Sequence, residues 1–432
     1  MPPAPDQLSV VVLGGGTVGA QVVRLMEEQA PDLAARAGTR LVVTGVGVRD
    51  ASRARPGIRP ELLSADVDAL LATGPDIVVE LIGGLSPARE LVLRALRSGA
   101  SVVTANKALI ATDGAELHAA AQQAGVDLSY EAAVAGAIPL LRPLRESLAG
   151  DRIRRVLGIV NGTTNYILTQ METSGATFGD ALARAQALGY AEADPTADVE
   201  GHDAAAKAAI LASLAFHTRV TLQDVTVEGI TAVTAGDMAA AQELGYVIKL
   251  LAVAELIEDG PVPGVSVRVH PAMVPGTHPL AGVRDAFNAV FVEADAAGQV
   301  MFYGRGAGGT PTASAVLGDL VVAARNRLAG TTGSGYSSYA GLPVLPPGAA
   351  TTAYSLHLRV VDQPGVLAAV AGVFAERGVS IQSLSQTGRG AEAELLVRTH
   401  NALESDLAAT VSRLRAEPAV HEVLSVMRVI GA

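Results

Sequence analysis

Residues 8–28 read LSVVVLGGGTVGAQVVRLMEE, and this stretch decides the fold. Residues 8–13 are an apolar run rich in β-branched side chains, followed by Gly14, Gly16 and Gly19 in G-x-G-x-x-G spacing and then by apolar residues at helical period. The pattern predicts a strand, a tight turn and a helix N-terminus, the arrangement that holds a dinucleotide pyrophosphate on backbone N–H groups. Gly14, Gly16, Thr17, Val18 and Gly19 are therefore candidate cofactor-binding residues. An ordinary glycine-rich strand-to-helix turn is the competing reading, and the position directly after the first strand favours the cofactor.

Outward from this motif the strand and helix patterns continue. Residues 41–50, LVVTGVGVRD, form a second strand pattern ending in Arg49 and Asp50. An acid at this place binds the ribose hydroxyls of NAD, whereas an arginine pairs with the 2′-phosphate of NADP. Arg49 comes first and argues for NADP(H); Asp50 keeps NAD(H) open, and Arg53 and Arg55 can add to a phosphate pocket or be solvated. Strand DIVVELIGG (76–84), helix RELVLRALRSG (89–99) and strand SVVTANKALIA (101–111) follow, the last read as ending in Thr104, Asn106 and Lys107. Polar residues at the carboxyl end of a parallel strand sit where an open α/β sheet binds ligands, so Thr104 and Lys107 are candidates facing the nicotinamide or substrate. The alternative for Lys107 is a solvated lysine opening the next helix. After helix AELHAAAQQAG (115–125) and strand VDLSYEAAV, the nearly uncharged turn AVAGAIPLL (133–141) has backbone carbonyls that need partners, and a monovalent cation is one option.

From Asp151 the character changes, with a strand, a polar NGTTN turn and a helix start in RIRRVLGIVNGTTNYILTQM (152–171). Residues 189–207, GYAEADPTADVEGHDAAAK, then pack Glu192, Asp194, Asp198, Glu200 and Asp203 around Pro195 before an apolar helix containing Lys207. A helix from about His202 sets Asp203 and Lys207 four apart on one face. A lysine on the apolar side of a helix facing acids suits proton donation to a reacting oxygen and capture of a substrate ammonium. The bland reading is a helix start enriched in acids by the dipole. Strand and helix patterns alternate to residue 305, consistent with a mixed sheet, and Gly304, Gly306, Gly308 and Gly309 read as a flexible turn before a long helix. That turn either approaches the cofactor or is a plain connection.

Residues 331–350 are rich in Gly, Ser and Pro and read as a linker. The order β-α-β-β-α-β after it predicts a ferredoxin-like unit. The expected division is a dinucleotide-binding domain over 1–130, to which the helix around 312–330 returns, a second domain over 131–330 with a hinge near 128–150, the linker, and a regulatory unit over 351–432.

Composition bounds the function. The chain has 432 residues, 49% hydrophobic and 17% charged, enough for two or three folded domains. Its net charge of -11, from 43 acids and 32 bases without a basic block, argues against nucleic acid or an anionic membrane as partner. There is no cysteine, hence no disulfide or thiolate chemistry. The start lacks a charged n-region, and its apolar run is too short for a membrane span, so a soluble, unexported, cytoplasmic protein is expected.

Together, VVLGGGTVG, VTANKAL around Lys107, EAAVAGAIP from Glu131, NGTTNYIL from Asn161, LGYAEADPTADVEGHDAAAK and YGRGAGGTPTASAV resemble the homoserine dehydrogenase family over residues 8–330. The tail, through DQPGVLAAVAGVFAERGVSI, resembles an ACT domain. With no kinase-like segment ahead of Met1, the likeness is to the monofunctional form. The glycine loop reads GGGTVG where the family's phenylalanine-bearing form is expected, a change that leaves backbone contacts intact. The implied fold is α/β: a Rossmann-type domain, an α/β catalytic and dimerisation domain with a mixed sheet, and a ferredoxin-like ACT domain. The implied reaction is reversible NAD(P)H-dependent reduction of L-aspartate 4-semialdehyde to L-homoserine, in threonine, methionine and isoleucine biosynthesis. The resemblance makes Lys207 the proton donor with Lys107 beside it, and has Glu192 and Asp203 bind the amino acid with support from Asp198. Gly189 and Gly306 touch the cofactor, and the carbonyls of Glu131, Val134, Gly136 and Ile138 hold Na+ or K+. A homodimer or homotetramer is implied, as is L-threonine bound near residues 362–367 and 380–382; a ligand-free dimerisation module remains the alternative. Another amino-acid or hydroxy-acid dehydrogenase, or a non-catalytic metabolite sensor, are the competing functions. NGTTN and YAEADPT speak against the first, and the intact Lys107 and Lys207 against the second.

Overall fold

The computed structural model describes residues 5–260, 262–335, 337–388 and 392–431. Tyr336 of the expected linker and Ala391, expected to open a strand, lie outside the described residues. By internal packing the chain forms two compact units, one of residues 1–156, 206–224 and 287–341, the other of residues 157–205, 225–286 and 342–432.

In the first unit, β1 (Gln7–Leu13) is the centre of a parallel sheet because its Val10–Leu13 side chains are buried on both faces. With α1 (Thr17–Glu28), α2 (Ala30–Ala37), β2 (Arg40–Gly47), β3 (Leu63–Ser64), α3 (Val67–Ala72), β4 (Ile77–Glu80), α4 (Ala88–Arg97), β5 (Ser101–Thr104), α5 (Lys107–Ala124) and β6 (Leu128–Ser129) it builds the order β3-β2-β1-β4-β5-β6. This is the doubly wound order that binds dinucleotides at the carboxyl ends of its strands, where the order reverses beside β1. The sequence reading carried the fifth strand through Lys107; instead it ends at Thr104, because the Asn106 side chain accepts from Leu109 N at 3.2 Å and caps a helix that starts at Lys107.

The chain passes between the units in β7 (Ile153–Ile159) and continues through α6 (Gly162–Ser174), α7 (Phe178–Ala187), α8 (Thr196–Val199), α9 (His202–Ala215), whose residues from Ala206 on belong to the first unit, and then, in the second unit again, β8 (Thr226–Val227), α10 (Ala235–Glu243), β9 (Tyr246–Ile257) and β10 (Gly264–Pro275). NGTTN is not a turn but the cap and first turn of α6, since Asn161 Oδ1 accepts from Thr164 N at 2.8 Å. The hairpin β11 (Phe287–Ala294) and β12 (Gly298–Arg305) and the helix α11 (Gly309–Ala329) belong to the first unit, where Ala313, Val316, Leu320 and Ala323 join the core of β1 and α1. The glycine run is not a flexible turn: Gly304 lies in β12, Gly309 in α11, and a Cβ on Gly306 would stand 1.9 Å from Asn288 Nδ2.

The C-terminal segment is β13 (Thr351–Val361), α12 (Val366–Glu376), β14 (Ile381–Thr387), β15 (Glu392–Thr399), the short β16 (Ala402–Leu403), α13 (Glu404–Arg415) and β17 (Val420–Val429). Its sheet order β17-β13-β15-β14 is the ferredoxin-like one, closed over a core of Leu356, Leu358, Val370, Phe374, Leu395 and Leu414. Within the second unit β17 also pairs in parallel with β10, Ala272 opposite Arg428, so the sheet runs β9-β10-β17-β13-β15-β14. Among the described residues no helix is long and apolar enough to cross a membrane.

Candidate active site

The first unit holds a cleft of about 950 Å³ at the carboxyl ends of β1, β2 and β4, lined by Gly14, Gly15, Gly16, Thr17, Arg49, Arg53 and Arg55 among others. Gly14 has φ +114°, and a Cβ there would lie 2.6 Å from Leu81 O, so the turn demands glycine. A Cβ on Gly19 would stand 1.9 Å from Gly14 O, which lets α1 begin hard against the strand end. Gly16, the N-cap of α1, has no atom within 4 Å of its Cβ position: the space above the helix N-terminus is open. This cradle fits an anionic pyrophosphate. Asp50 is not among the lining residues; its Oδ1 accepts from Ser52 N and Oγ at 2.9 and 2.6 Å, bonds that hold its carboxyl below the ordinary value.

The wall formed by the loop after β4 is set by Glu80, a fully buried residue that the sequence reading missed. Its Oε1 accepts from Ile82 N at 2.8 Å and Gly83 N at 3.0 Å, and its Oε2 from the Thr104 hydroxyl at 2.5 Å. Thr104 in turn accepts from Asn106 N at 2.9 Å, and Asn106 Nδ2 donates to Gly84 O at 2.6 Å. Thr104 thus braces two loops, and Lys107 opens α5 half-buried beside them. The helices α5 and α9 together line a cavity of about 30 Å³ that includes His118 and Tyr130. Burial, with Arg145 nearby, pushes the His118 imidazole down to about 4; its Nε2 lies 3.2 Å from the Tyr130 hydroxyl.

Glu131, Val134, Gly136 and Ile138 are all buried in the loop after β6. The Glu131 carboxylate accepts from Leu140 N, from Leu141 N at 2.7 Å and from Arg142 N at 2.9 Å, closing the loop on itself. Asp319 of α11 accepts from Glu131 N at 2.8 Å and from Arg142 Nη2 at 2.5 Å, while burial pushes its carboxyl up to about 6. Gly136, at φ +53°, leaves 2.4 Å between its Cβ position and Gly306 O. Among the described residues no group of three or more His, Cys, Asp or Glu side chains is set to hold a metal ion.

In the second unit the acids meet at Asn161. Its Nδ2 donates to Asp198 Oδ1 at 2.7 Å and to Asp203 Oδ2 at 2.9 Å, drawing the carboxylates of α8 and α9 to one amide. Asp194 turns instead to its own chain, accepting from Thr196 N and Oγ1, and Glu192 is exposed. Gly189, exposed at φ +76°, joins α7 to the segment before α8. Lys207, one turn beyond Asp203 on α9, is 9% exposed. Val18 sits half-buried on α1. The structure therefore brings together Gly14, Gly16, Thr17 and Arg49 at one cleft, and Asp198 and Asp203 at one amide. The sequence reading also missed Asn161 as a site residue; its only local signal was a cap position three residues before Thr164.

The homoserine dehydrogenase NAD binding domain model matches residues 14–131, the homoserine dehydrogenase model residues 139–321, and the ACT domain model residues 354–419. The homoserine dehydrogenase of Corynebacterium glutamicum is 56% identical over 98% of this chain and 95% of its own. The chain belongs to the homoserine dehydrogenase family. It is an oxidoreductase with a Rossmann-type NAD-binding domain, a mixed-sheet α/β domain and an ACT domain. The crystal structure of a homoserine dehydrogenase from Thiobacillus denitrificans, 40% identical, superposes with a TM-score of 0.91 over 98% of both chains. A hyperthermophilic archaeal homoserine dehydrogenase in complex with NADPH, 27% identical, matches with a TM-score of 0.61 over 73% of this chain and 97% of its own.

Proposed function

We propose that this chain catalyses the reversible reduction of L-aspartate 4-semialdehyde to L-homoserine, with NADP(H) preferred over NAD(H), in threonine, methionine and isoleucine biosynthesis in the cytoplasm. One observation carries the reading: α9 presents Asp203, drawn with Asp198 to the Asn161 amide, and one turn later the nearly buried Lys207. The open space over Gly16 and the three arginines of the cleft support NADP(H), whose reduced nicotinamide supplies the hydride. The archaeal relative's NADPH complex is in keeping with it.

Reduction of an aldehyde builds negative charge on its oxygen, and a positioned ammonium stabilises that charge more than the neutral ground state. Lys107 provides this stabilisation and Lys207 delivers the proton to the same oxygen. Glu192 and Asp203 bind the substrate ammonium, with Asp198 supporting Asp203 through Asn161. Gly189, Gly306, Val18, Gly19 and Thr104 are assigned to cofactor binding.

The carbonyls of Glu131, Val134, Gly136 and Ile138 are assigned to Na+ or K+. The Glu131 carboxylate is already taken up by three amides, so the loop offers neutral oxygens, a donor set suited to a hard cation of low charge. In the C-terminal domain a cleft of about 380 Å³ lined by residues 360–367 and Gln386 supports L-threonine as effector; Ser380–Gln382, also expected there, are not among its lining residues. The exposed side chains of the edge strand β14 support pairing between chains, as a homodimer or homotetramer.

The test is absorbance at the nicotinamide band with L-homoserine and either NADP or NAD, with and without K+ or Na+. Turnover that is faster with NADP and raised by the cation is expected. No turnover despite cofactor binding would overturn the reading, and a threonine titration that moves neither activity nor melting temperature would leave the tail as an assembly module.

A further inference from the structure

The strand β9 reads YVIKLLAVAELI, and Lys249, the charged residue in its apolar first half, has no solvent exposure at all. A lysine this deep is rare unless something pairs with it. Its Nζ donates to Val283 O at 2.6 Å and to Asn165 Oδ1 at 3.2 Å, both uncharged. Asn165 Nδ2 donates in turn to Val283 O at 3.3 Å and Asp285 O at 2.9 Å, and Asp285 N donates to Thr169 Oγ1 at 3.2 Å. The ammonium thus gathers α6 and the loop 283–286 around itself. That loop has the shape such a clasp requires: Asp285 adopts φ +55°, and Gly162 packs so closely that a Cβ would lie 2.8 Å from Ala286 O.

Asn165 stands one turn after Asn161 on α6, and its N–H donates to Asn161 O at 3.3 Å. The two asparagines of the NGTTN motif therefore face opposite tasks, Asn165 toward Lys249 and Asn161 toward Asp198 and Asp203. We propose that Lys249 is the positioning residue for the acid pair: by clasping Asn165 and the loop 283–286 it fixes the first turn of α6, and so the place where Asn161 holds Asp198 and Asp203. A methionine or leucine would fill a similar volume but remove the ammonium that donates to Asn165 Oδ1 and Val283 O, leaving Val283 O the longer bond from Asn165 Nδ2 at 3.3 Å. Burial lowers the pKa of the ammonium to about 8; of the charged groups facing it, Glu172 and Asp285 oppose this shift and Arg284 adds to it, and the ammonium carries its charge at neutral pH.

The inference rests on the proposed role of Asp198 and Asp203 for its kinetic consequence, and on geometry alone for its structural one. Lys249→Met in the full-length protein separates the two. Hydrogen exchange is expected to quicken about tenfold or more at residues 161–165 and 196–203, with the KM for L-homoserine raised about tenfold and NADP affinity unchanged. Lys249→Arg should restore part of the protection. If wild-type protein does not oxidise L-homoserine, the functional reading fails while the exchange measurement still decides the clasp. Exchange that quickens only in β9 and 283–286, or evenly across the chain, with KM unchanged, would reduce Lys249 to a fold-stabilising residue. Should Lys249→Met not fold, Thr169→Val, which removes the acceptor of Asp285 N and the hydroxyl donor to Asn165 O, is read the same way with a few-fold effect expected; an unchanged exchange pattern in it overturns the proposal.

Discussion

Arg268 and Glu404 form a nearly buried ion pair, 2.5 Å between Nη1 and Oε2, that ties β10 to the first residue of α13. Glu404 also accepts from Arg428 Nε at 2.7 Å, Arg268 pairs with Glu255, and Arg428 Nη1 reaches Glu228 at 2.6 Å. Together with the parallel pairing of β10 and β17, this network makes the ACT domain a continuation of the β9–β10 sheet within the second unit.

Removing Glu404, the carboxylate that Arg268 and Arg428 share, leaves Arg268 with Glu255 alone and Arg428 with the exposed Glu228 alone, while both guanidiniums stay largely buried. Glu404→Ala should lower stability by about 3–5 kcal/mol, read by urea or thermal unfolding. A loss below about 1 kcal/mol would mean that water reaches Arg268 and Arg428 in solution.

Lys207→Ala should reduce turnover roughly 10²- to 10⁴-fold, the range for a lost general acid, while NADP affinity measured by fluorescence stays near wild type. Unchanged turnover in this variant would remove Lys207 from the proton-donor role.

The two glycines at the start of α1 should separate folding from cofactor binding. Gly19→Ala forces a Cβ within 1.9 Å of Gly14 O and should lower the melting temperature. Gly16→Ala meets no atom within 4 Å and should fold normally, yet bind NADP more weakly because the methyl group occupies space needed by the pyrophosphate. A Gly16→Ala protein with wild-type affinity would place the phosphates elsewhere.

Arg49 lines the cleft while Asp50 is held by Ser52. Loss of a charge-assisted contact to the 2′-phosphate in Arg49→Ser should lower the NADP-to-NAD ratio of kcat/KM roughly 10- to 100-fold. An unaltered ratio would return the preference to Arg53 and Arg55.

His118 gives the fold an acid limb. Its folded pKa, near 4, lies below the unfolded value of 6.5, so as pH falls through this interval the unfolded chain gains a proton that the folded chain refuses. Stability should therefore fall from pH 6.5 toward 4, by up to roughly 3 kcal/mol from this group. His118→Gln keeps a partner for the Tyr130 hydroxyl and should flatten the fall in melting temperature; an identical slope in both proteins would assign the acid limb to other groups.

Most of the elements and their order are legible in the sequence, although α2, β3 and α3 carry too little periodic pattern to be read there. Strand β1, the Gly14–Gly16–Gly19 turn and α1 are legible because chain geometry there is local: a turn without room for Cβ needs glycine within a few residues of the strand it follows. The βαββαβ order of the tail is legible for the same reason, since hydrophobic period and turn residues act over short distances. Local rules also gave Asp203 and Lys207 their spacing on α9. They misplaced the end of the fifth strand, where one cap by Asn106 outweighs the apolar run. Tertiary structure alone decided that Asn161 bridges Asp198 and Asp203, that Glu80 braces Thr104 and the loop after β4, that Lys249 finds Asn165, and that β17 lies beside β10. These partners stand tens to more than a hundred residues apart, and a buried polar group takes whichever complementary group the packed core brings within 3 Å, a choice that no local periodicity encodes.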